Sequence, residues 1–463
     1  MAYGPPTPPP DMSTDRGSGA LAAFRQFLSL ERDVLTLSLA MFAFSLAFQM
    51  TGRYVPEYLR VLGASATVVG LYGSVGNLIG ALYPYPGGAL SDRIGSRLAL
   101  TLFGVVATLG FGLWALAPAL ELTVGVLVIP AWAWVFVGLF LAQAWKSFGL
   151  GATFAVVRQS VPDAELASGF AATETFRRVG FLVGPLLAAA LLAVTPGFVR
   201  GFQRVLVLAV AFGAVATVAQ HVLYDASEDT IGDAFAGIGA IADDLRSLPD
   251  PLRPLLVADT LVRFANGMVY VFFVIVVTDF LAVGLETPAL SLAGFTLAPI
   301  TLTPAAFFGV LLGVEMVVAL VSMVPVARLT ERVGLKPAVA VGFAVYAVFP
   351  AMLIAAPADQ LVLVALFAFS GLRFAGLPAH KALIVGPAER DAGGRVTGSY
   401  YLVRNTVVIP SALLGGIIYG LDRVTVAGTA LAGPTVAFGL ATVVGLAGTG
   451  YFLVAGEEFE AYT

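Results

Sequence analysis

The stretch GALSDRIGSR, residues 88–97, is decisive for the fold because it places one acid and two arginines between two long apolar segments. A looser copy, ARLTERVGLK at residues 327–336, lies between two apolar segments in the other half of the chain. The copies are 327 − 88 = 239 positions apart, and this offset aligns acid with acid and glycine with glycine. A charged stretch repeated in this setting predicts two halves built on one plan.

The composition predicts a membrane protein. Hydrophobic residues make up 59% of the chain and charged residues 12%, whereas soluble domains contain roughly 45–50% and about 25%. Uncharged apolar runs recur that exceed the ~20 residues a spanning helix needs. They are too long for barrel strands, so each predicts a helix that satisfies its own backbone. The chain has no cysteine, which excludes disulfides and cysteine metal sites.

The apolar pattern predicts an all-α polytopic membrane protein with twelve transmembrane helices. The predicted spans cover residues 34–58, 66–87, 98–118, 126–156, 168–194, 203–224, 254–282, 303–327, 338–357, 361–386, 397–421 and 433–455. An even count places both termini on one side, and the enrichment of Lys and Arg in the loops of that side predicts cytoplasmic termini. The basic residues predicted on the opposite side are Arg53, Arg60, Arg200, Arg204 and Arg423.

The same pattern divides the chain into five parts. Residues 1–30 are rich in proline, serine and glycine and predict a disordered cytoplasmic tail. Residues 31–224 and 254–456 each predict a six-helix bundle. Residues 225–253 carry apolar residues at helical spacing and predict a cytoplasmic linker with an amphipathic helix. Residues 457–463 predict a short acidic cytoplasmic tail.

The repeated stretches resemble the motif of a known family. GALSDRIGSR resembles the loop motif after the second helix of the major facilitator superfamily, G-x-L-[AS]-D-R-x-G-R-[RK], and ARLTERVGLK resembles its degenerate partner after helix eight. Ser96 departs from the motif, where the family usually has a basic residue. The resemblance covers residues 34–455 and implies two pseudo-symmetric six-helix bundles that rock about a central site.

The resemblance also implies a cytoplasmic gate. Asp92 would lie near the amino end of helix eleven beside Arg404, and Glu331 near helix five beside Arg177 or Arg178, because a helix amino end stabilises an acid. For the basic residues of the two loops, a role in topology alone remains an alternative. The predicted gate and motif residues are Gly88, Asp92, Arg93, Gly95, Arg97, Glu331, Arg332, Gly334, Lys336, Arg178 and Arg404.

Charged side chains inside the predicted spans are the candidates for a central cavity, because an ionisable group at membrane depth is costly unless it faces protein or water. Glu174 with Arg178, and Asp259 with Arg263, are four residues apart and predict local pairs. The predicted cavity residues are Lys146, Glu174, Arg263, Asn266, Glu315 and Arg373.

Glu315 has two interpretations. It either neutralises Arg373 or, as a desolvated carboxylate, accepts a coupling proton. His380 and Lys381 are predicted to reach the headgroups from the end of helix ten and are left out of the site.

A second motif lies in predicted helix five. GFLVGPLLAA, residues 180–189, resembles the family's antiporter motif, with Gly180, Gly184 and Pro185 kept and alanines in place of the final glycines. The resemblance implies export. Close helix packing by small residues is the alternative interpretation.

Secondary active transport of a small solute by alternating access is the predicted function, as ion-coupled export of a small organic compound. The expected setting is a monomer in the plasma membrane with a coupling proton or sodium ion. The excess of intramembrane cations favours an alternative, import of an organic or inorganic anion. A transporter-like sensor or receptor is the alternative from another class. The sequence has no nucleotide-binding, zinc-protease or serine-hydrolase motif, which predicts no enzyme, cofactor, metal or nucleic acid partner.

Overall fold

The structure is a computed structural model that describes residues 32–83, 87, 90–91, 93–124, 127–148, 166–224, 249–250, 252–292, 295–385, 393–426 and 428–458. The predicted tail at 1–30, most of the linker at 225–253 and most of the tail at 457–463 lie outside this range. So do Gly88 and Asp92, and the side chains of Glu174 and Glu331 are also outside the description.

The described part of the first half consists of helices and one short hairpin. Its elements are α1 (Arg32–Thr51), α2 (Val55–Val61), α3 (Ala66–Leu82), α4 (Ser96–Leu116), a 3-10 turn (Ala117–Ala119), β1 (Leu122–Val124), β2 (Leu127–Ile129), α5 (Ala131–Gln143), a π-helix (Ala144–Phe148), α6 (Leu166–Ala193) and α7 (Phe198–Leu223).

The second half repeats this plan with three further hairpins. Its elements are α8 (Leu252–Val269), a 3-10 turn (Tyr270–Phe272), α9 (Phe273–Ile275), a π-helix (Val276–Phe280), β3 (Leu285–Thr287), β4 (Leu290–Leu292), β5 (Phe295–Leu297), β6 (Ile300–Leu302), α10 (Pro304–Val333), α11 (Leu335–Ile354), α12 (Gln360–Gly371), a 3-10 turn (Leu372–Phe374), α13 (Leu377–Val385), α14 (Gly393–Val408), α15 (Ser411–Tyr419), β7 (Val424–Val426), β8 (Thr429–Leu431) and α16 (Gly433–Ala455).

The helices are long and apolar enough for a membrane. Nine helices within the described ranges meet the length and hydropathy of a membrane span, and Ala66–Leu82 is a shorter apolar helix. Contiguous helical pieces group into segments that correspond to the predicted spans, so the structure is consistent with twelve. α4, α7 and α16 carry many exposed valines and leucines, as expected of lipid-facing spans.

The two halves share one architecture. In the first half α4 packs on α7 and α7 on α1, and in the second half α11 packs on α16 and α16 on α8. Gly95 and Gly334, which are 334 − 95 = 239 positions apart, precede α4 and α11 with positive φ values of 83° and 88°. Only glycine adopts this conformation readily, so the repeated glycine marks a repeated turn. The predicted pseudo-symmetry is confirmed.

The prediction of helix from residue 126 is wrong. Residues 127–129 belong to the antiparallel hairpin β1–β2, and α5 begins only after Pro130. The segment is apolar throughout, but its valines, Thr123 and Ile129 favour extended backbone. α5 then ends at Gln143 and continues as a π-helix, and residues 149–156 of the predicted span lie outside the described range.

All four hairpins lie on one side of the protein. Here the terminal side is the side where α1 begins and α16 ends, and the distal side is the opposite one. Within residues 285–302 the described segments form two nested hairpins, in which β3 pairs with β6 and β4 with β5. The longest connections between spans in the described second half therefore cover the distal side.

Candidate functional site: a central cationic cavity

Side-chain bonds join the two halves on the distal side. Arg60 Nη1 of α2 lies 3.2 Å from Asp279 Oδ1 of the second half, and Arg60 Nη2 lies 2.7 Å from Glu57 Oε1. Tyr54 donates a hydrogen bond of 3.1 Å from its hydroxyl to the carbonyl of Ala305. Glu57, Arg60 and Asp279 form what we call the distal gate. In this structure the halves are closed on the distal side.

Glycines bring the halves together along two helix pairs. α3 packs on α15, where a Cβ on Gly70 would lie 2.8 Å from Gly416 Cα. α6 packs on α10, where a Cβ on Gly309 would lie 2.6 Å from the carbonyl oxygen of Pro185. The two glycines are again 309 − 70 = 239 positions apart. Glycines at equivalent positions of the two repeats therefore lie at the contacts between the halves.

A central cavity of about 350 Å³ lies between the halves and is lined by both. Arg263, Asn266, Glu315 and Arg373, four of the six predicted cavity residues, contribute to its wall. Glu315 is the single carboxylate among the described lining residues. The cationic lining residues are Arg53, Arg177, Arg178, Arg263, Arg373 and Lys381.

Several cavity residues lie where a helix is interrupted. Arg53 lies in the turn between α1 and α2, Tyr270 begins the 3-10 turn after α8, and Arg373 lies in the 3-10 turn after α12. The first and seventh spans are thus broken at corresponding points of the two halves. Helices that are interrupted at matching positions of two repeats commonly form a central binding site. The interruption leaves backbone groups and side chains facing the cavity.

The location of Arg53 differs from the one predicted from the sequence. It was assigned to the far side of the membrane, but it lies in the cavity wall with its guanidinium carbon 4.2 Å from the ring centroid of Tyr270. The first span does not end as one helix near residue 58, because it breaks at Gly52–Tyr54 and resumes as α2. The predicted basic residue of an exit loop is therefore inside the protein.

Glu315 and Arg373 form a buried ion pair. Arg373 Nη2 lies 2.7 Å from Glu315 Oε1, and Ser370 donates a hydrogen bond of 2.5 Å to the same oxygen. The guanidinium of Arg373 also lies over the rings of Tyr346 and Phe374, at 5.0 and 4.8 Å from their centroids. Its Nε and Nη1 are buried and have no hydrogen-bond partner in the part of the chain that the structure describes. Of the two interpretations of Glu315, the structure supports neutralisation of Arg373.

Asp259 is the centre of a second charged cluster beside the cavity. The predicted local pair is confirmed, with Arg263 Nε 3.2 Å from Asp259 Oδ1. Arg404 Nη1 lies 3.0 Å from Asp259 Oδ2 and His380 Nε2 lies 3.3 Å from the same oxygen. His380 was expected to reach the headgroups, but its side chain is buried. No local pattern in the sequence predicts this contact, because His380 is 121 positions from Asp259.

The other predicted cavity and helix-five residues lie at three different places in the first half. Arg178 lines the cavity and donates to Met323 Sδ at 3.4 Å. Lys146 belongs to the π-helix after α5, with Nζ 5.9 Å from the ring centroid of Phe48, and is not in the cavity lining. Gly180 and Gly184 pack α6 against Ser45 and Gln49 of α1.

The motif residues within the described range join spans inside each half. Arg97 Nε donates to the carbonyl of His221 at 2.7 Å, which ties the start of α4 to the end of α7. In the second half the Glu458 carboxylate accepts from the backbone nitrogens of Leu335 and Lys336 at 3.0 and 2.8 Å. The predicted partner of Arg404 was Asp92, which lies outside the described residues, and Arg404 contacts Asp259. Arg93 and Arg332 are exposed.

The comparisons with known proteins agree with this architecture. Residues 1–132 match the family model of the Major Facilitator Superfamily. A mutant form of the nucleoside transporter NupG matches with a TM-score of 0.70 and 11% identity, covering 92% of this chain and 100% of that one. A POT family transporter in complex with 5-aminolevulinic acid matches with a TM-score of 0.67 and 13% identity, covering 93% and 99%.

The human organic anion transporter MFSD10 matches with a TM-score of 0.55 and 15% identity, covering 91% of this chain and 98% of that one. No curated protein matches the chain. The fold is that of the major facilitator superfamily, and the resemblance stated from the loop motif is confirmed. These similar structures are transporters.

Proposed function

Because the chain has the major facilitator fold and its first 132 residues match the family model, we propose that it is a secondary transporter that carries a small organic anion by alternating access. The choice of an anion as the substrate rests on the charge of the cavity lining. Among the described lining residues, six cationic side chains face a single carboxylate, which is paired with Arg373. One of the six, Arg263, is paired with Asp259 outside the lining. A cavity with this imbalance attracts and retains negative charge.

The individual cations support an anionic ligand. Among the described residues no carboxylate lies within ion-pair distance of Arg53 or Lys381. The two unpartnered nitrogens of Arg373 are buried, and a buried donor without an acceptor is costly. A carboxylate, sulfonate or phosphate in the cavity would supply acceptors, and Tyr270 and Phe181 would pack against an apolar body. The volume of about 350 Å³ suits a compact organic molecule.

Several similar structures are named in their titles for small organic solutes. The titles of three of them name a nucleoside transporter, a POT family transporter with bound 5-aminolevulinic acid, and an organic anion transporter. Sequence identities of 11–15% are evidence for a shared fold and not for a shared substrate. The choice of an anion therefore rests on the cavity of this chain.

Orientation follows from the loop charges. We place the termini in the cytoplasm, because Lys and Arg are enriched on the terminal side. The plasma membrane and a monomeric state complete the proposal. With this orientation the closed distal gate faces outward, and the structure represents a state closed to the exterior. Proteolysis of a tag at either terminus in sealed cells tests the orientation, and cleavage from outside would overturn it.

Ion-coupled export of an organic compound is the second candidate. It is favoured by the helix-five stretch, but Gly180 and Gly184 pack α6 against α1, and helix packing accounts for them. The coupling ion would be a proton or sodium. A sensor with this fold would bind the anion without transporting it. The exchange assay described below therefore also distinguishes a sensor from a transporter.

The test is exchange of permanently charged probes in proteoliposomes that contain the full chain. Benzenesulfonate, neutral benzenesulfonamide and cationic phenyltrimethylammonium share one ring and differ in charge. We expect exchange of benzenesulfonate and not of the other two. Exchange of the cation, or no discrimination, would overturn the proposal.

Replacing Arg53 with Gln tests the binding role of the cavity cations. A charged hydrogen bond contributes about 1.5–3 kcal/mol, so we expect the half-saturating concentration of benzenesulfonate to rise by about tenfold or more. Arg200→Gln is the matched control, since Arg200 is exposed and away from the cavity. Equal effects of the two substitutions would show that Arg53 does not bind the anion.

A further inference from the structure

A second cavity lies beside the central one, where α3 of the first half faces α8 and α14 of the second. Its volume of about 230 Å³ is several times the roughly 30 Å³ that one water molecule occupies in the liquid. We call it the side cavity. Arg263, Asn266 and Tyr270 line both cavities and form the partition between them. The side cavity therefore has room for a group of several atoms next to a molecule in the central cavity.

The side cavity is closed toward the distal side by direct contact of the two halves. Gly73 of its wall packs so closely that an added Cβ would lie 2.7 Å from the Cβ of Ala412 in α15. One residue further along α3, the Ser74 hydroxyl accepts a hydrogen bond of 2.9 Å from the backbone nitrogen of Leu413. Both contacts join α3 to α15. A group in the side cavity thus lies at the boundary where the halves meet.

Asparagine side chains are the most frequent polar groups in the side-cavity lining. Asn77 comes from α3, Asn266 from α8 and Asn405 from α14. Asn77 and Asn266 are half-buried, and their side chains have no hydrogen-bond partner among the described residues. An asparagine in a membrane span ordinarily bonds to a neighbouring helix. A polar side chain without such a bond, facing a cavity, indicates a binding role.

The two arginines of the side cavity are held by other residues of the protein. Arg404 donates from Nη1 to Asp259 Oδ2 at 3.0 Å, and from Nε and Nη2 to Asn405 Oδ1 at 3.2 and 3.0 Å. Arg263 donates from Nε to Asp259 Oδ1 at 3.2 Å and from Nη1 to the Tyr346 hydroxyl at 3.0 Å. Most of their nitrogens are therefore already engaged. The hydrogen-bonding groups that remain for a ligand are chiefly the asparagine amides.

We propose that the side cavity binds an uncharged hydrogen-bonding group, such as a carboxamide, of an organic anion whose charged group lies in the central cavity. The inference rests on the proposed function, because the anionic group places the ligand beside the partition. It narrows the substrate class to organic acids that carry a neutral polar group with both a donor and an acceptor.

The chemistry of an amide matches this lining better than that of other groups. An asparagine side chain has N–H donors and a carbonyl acceptor, so a carboxamide can both accept from it and donate to it. A second carboxylate can only accept, and the nearby arginines are engaged. An alkyl group would leave the amides without partners.

The side cavity also links the ligand to both halves. Asn77 belongs to the first half, whereas Asn266 and Asn405 belong to the second. A carboxamide between them contacts the two halves in the arrangement closed on the distal side. Such a contact favours this arrangement over one in which the asparagines are further apart.

The test compares three para-substituted benzenesulfonates in proteoliposomes that contain the full chain. 4-Carbamoylbenzenesulfonate, 4-sulfobenzoate and 4-isopropylbenzenesulfonate carry a carboxamide, a carboxylate and an isopropyl group. These substituents have the same branched shape and differ in charge and hydrogen bonding. Unsubstituted benzenesulfonate is the reference. The measured quantity is the half-saturating concentration for exchange of each probe.

The carboxamide probe should half-saturate exchange at a concentration about three- to tenfold lower than the isopropyl probe, as expected for one neutral hydrogen bond. It should also bind more tightly than 4-sulfobenzoate. Asn77→Leu keeps the shape of the side chain and removes its hydrogen bonding, so the preference for the carboxamide over the isopropyl group should disappear. Thr406→Val is the matched control, because Thr406 is exposed on α14 and outside the lining, and it should retain the preference.

Each other outcome is decisive. Exchange of benzenesulfonate without a preference for the carboxamide, or with a preference for 4-sulfobenzoate, overturns the inference and leaves the proposed function intact. A native preference that persists in Asn77→Leu also overturns the inference. Should Asn77→Leu fail to fold, Asn77→Ala takes its place, and the comparison of probes on the native chain needs no variant. Absence of benzenesulfonate exchange by the native protein overturns the proposed function and the inference together.

Discussion

Arg373 is held by one carboxylate and by aromatic rings, and this pairing has a consequence for stability. Glu315 is its single carboxylate partner among the described residues, at 2.7 Å, while Tyr346 and Phe374 cover the guanidinium. Aromatic faces contribute to a buried cation but do not replace its counterion. The pair therefore fixes α10 to the 3-10 turn that follows α12.

Glu315→Gln should destabilise the protein by about 3–5 kcal/mol, because removing one partner leaves a buried charge uncompensated. The measurement is thermal unfolding of the purified chain in detergent. The double variant Glu315→Gln with Arg373→Met is the control and should recover most of the loss, since it removes both charges. A single variant as stable as the native protein would contradict this view of the pair.

Sequence spacing predicted some of these side-chain contacts and not others. Asp259 and Arg263 are four apart on one helix, so their contact could be predicted from the helical repeat alone. Glu315 and Arg373 were an open alternative, which the structure resolves as an ion pair. The contact of His380 with Asp259 depends on how α13 packs on α8, and no local pattern encodes that.

At the level of elements, the interruptions of the helices give the site its residues. Arg53 and Arg373 both lie at breaks, and the sequence offers local reasons only for some breaks, such as Gly52 in the first span and Pro410 between α14 and α15. Hydropathy averages over such short interruptions, so continuous spans were predicted. Interrupted segments at matching positions of the two halves were the signal that could have identified Arg53.

The contact of α6 with α10 depends on a glycine. A side chain on Gly309 would meet the hydroxyl of Tyr54 and the carbonyl of Pro185. Gly309→Val should therefore cost about 1–3 kcal/mol of stability and separate the halves on the distal side. Thermal unfolding and probe exchange measure the two effects.

Gly439→Val is the matched control, because a Cβ at Gly439 in α16 meets no atom within 4 Å. We expect it to leave unfolding and exchange close to those of the native chain. Equal loss in both variants would show that helix propensity, and not the contact between α6 and α10, determines the effect.

At the scale of the whole molecule, two repeated halves close over a cationic cavity. The offset of 239 residues predicted the repeat, and it recurs in the turn glycines Gly95 and Gly334 and in the contact glycines Gly70 and Gly309. The distal hairpins and the distal gate did not follow from the sequence. The hairpin strands are as apolar as the spans beside them, and Arg60 and Asp279 of the gate become neighbours only after the halves have docked.

The distal gate should control which side of the protein is open. Asp279→Arg replaces the 3.2 Å ion pair with Arg60 by two facing cations, and like charges at this distance repel. We expect the distal side to open and the terminal side to close. Asp422→Asn is the control, because Asp422 is an exposed acid on the same side that forms no ion pair with the described residues, and it should leave the equilibrium unchanged.

The most direct test is the distance between spin labels on the two halves, for which the chain is suited because it has no cysteine. One pair is Val194→Cys with Leu361→Cys on the distal side, and the other is Leu98→Cys with Val333→Cys on the terminal side, all at exposed positions. Alternating access predicts that Asp279→Arg lengthens the distal distance and shortens the terminal one. Distances that stay fixed, or that lengthen on both sides together, would contradict the account.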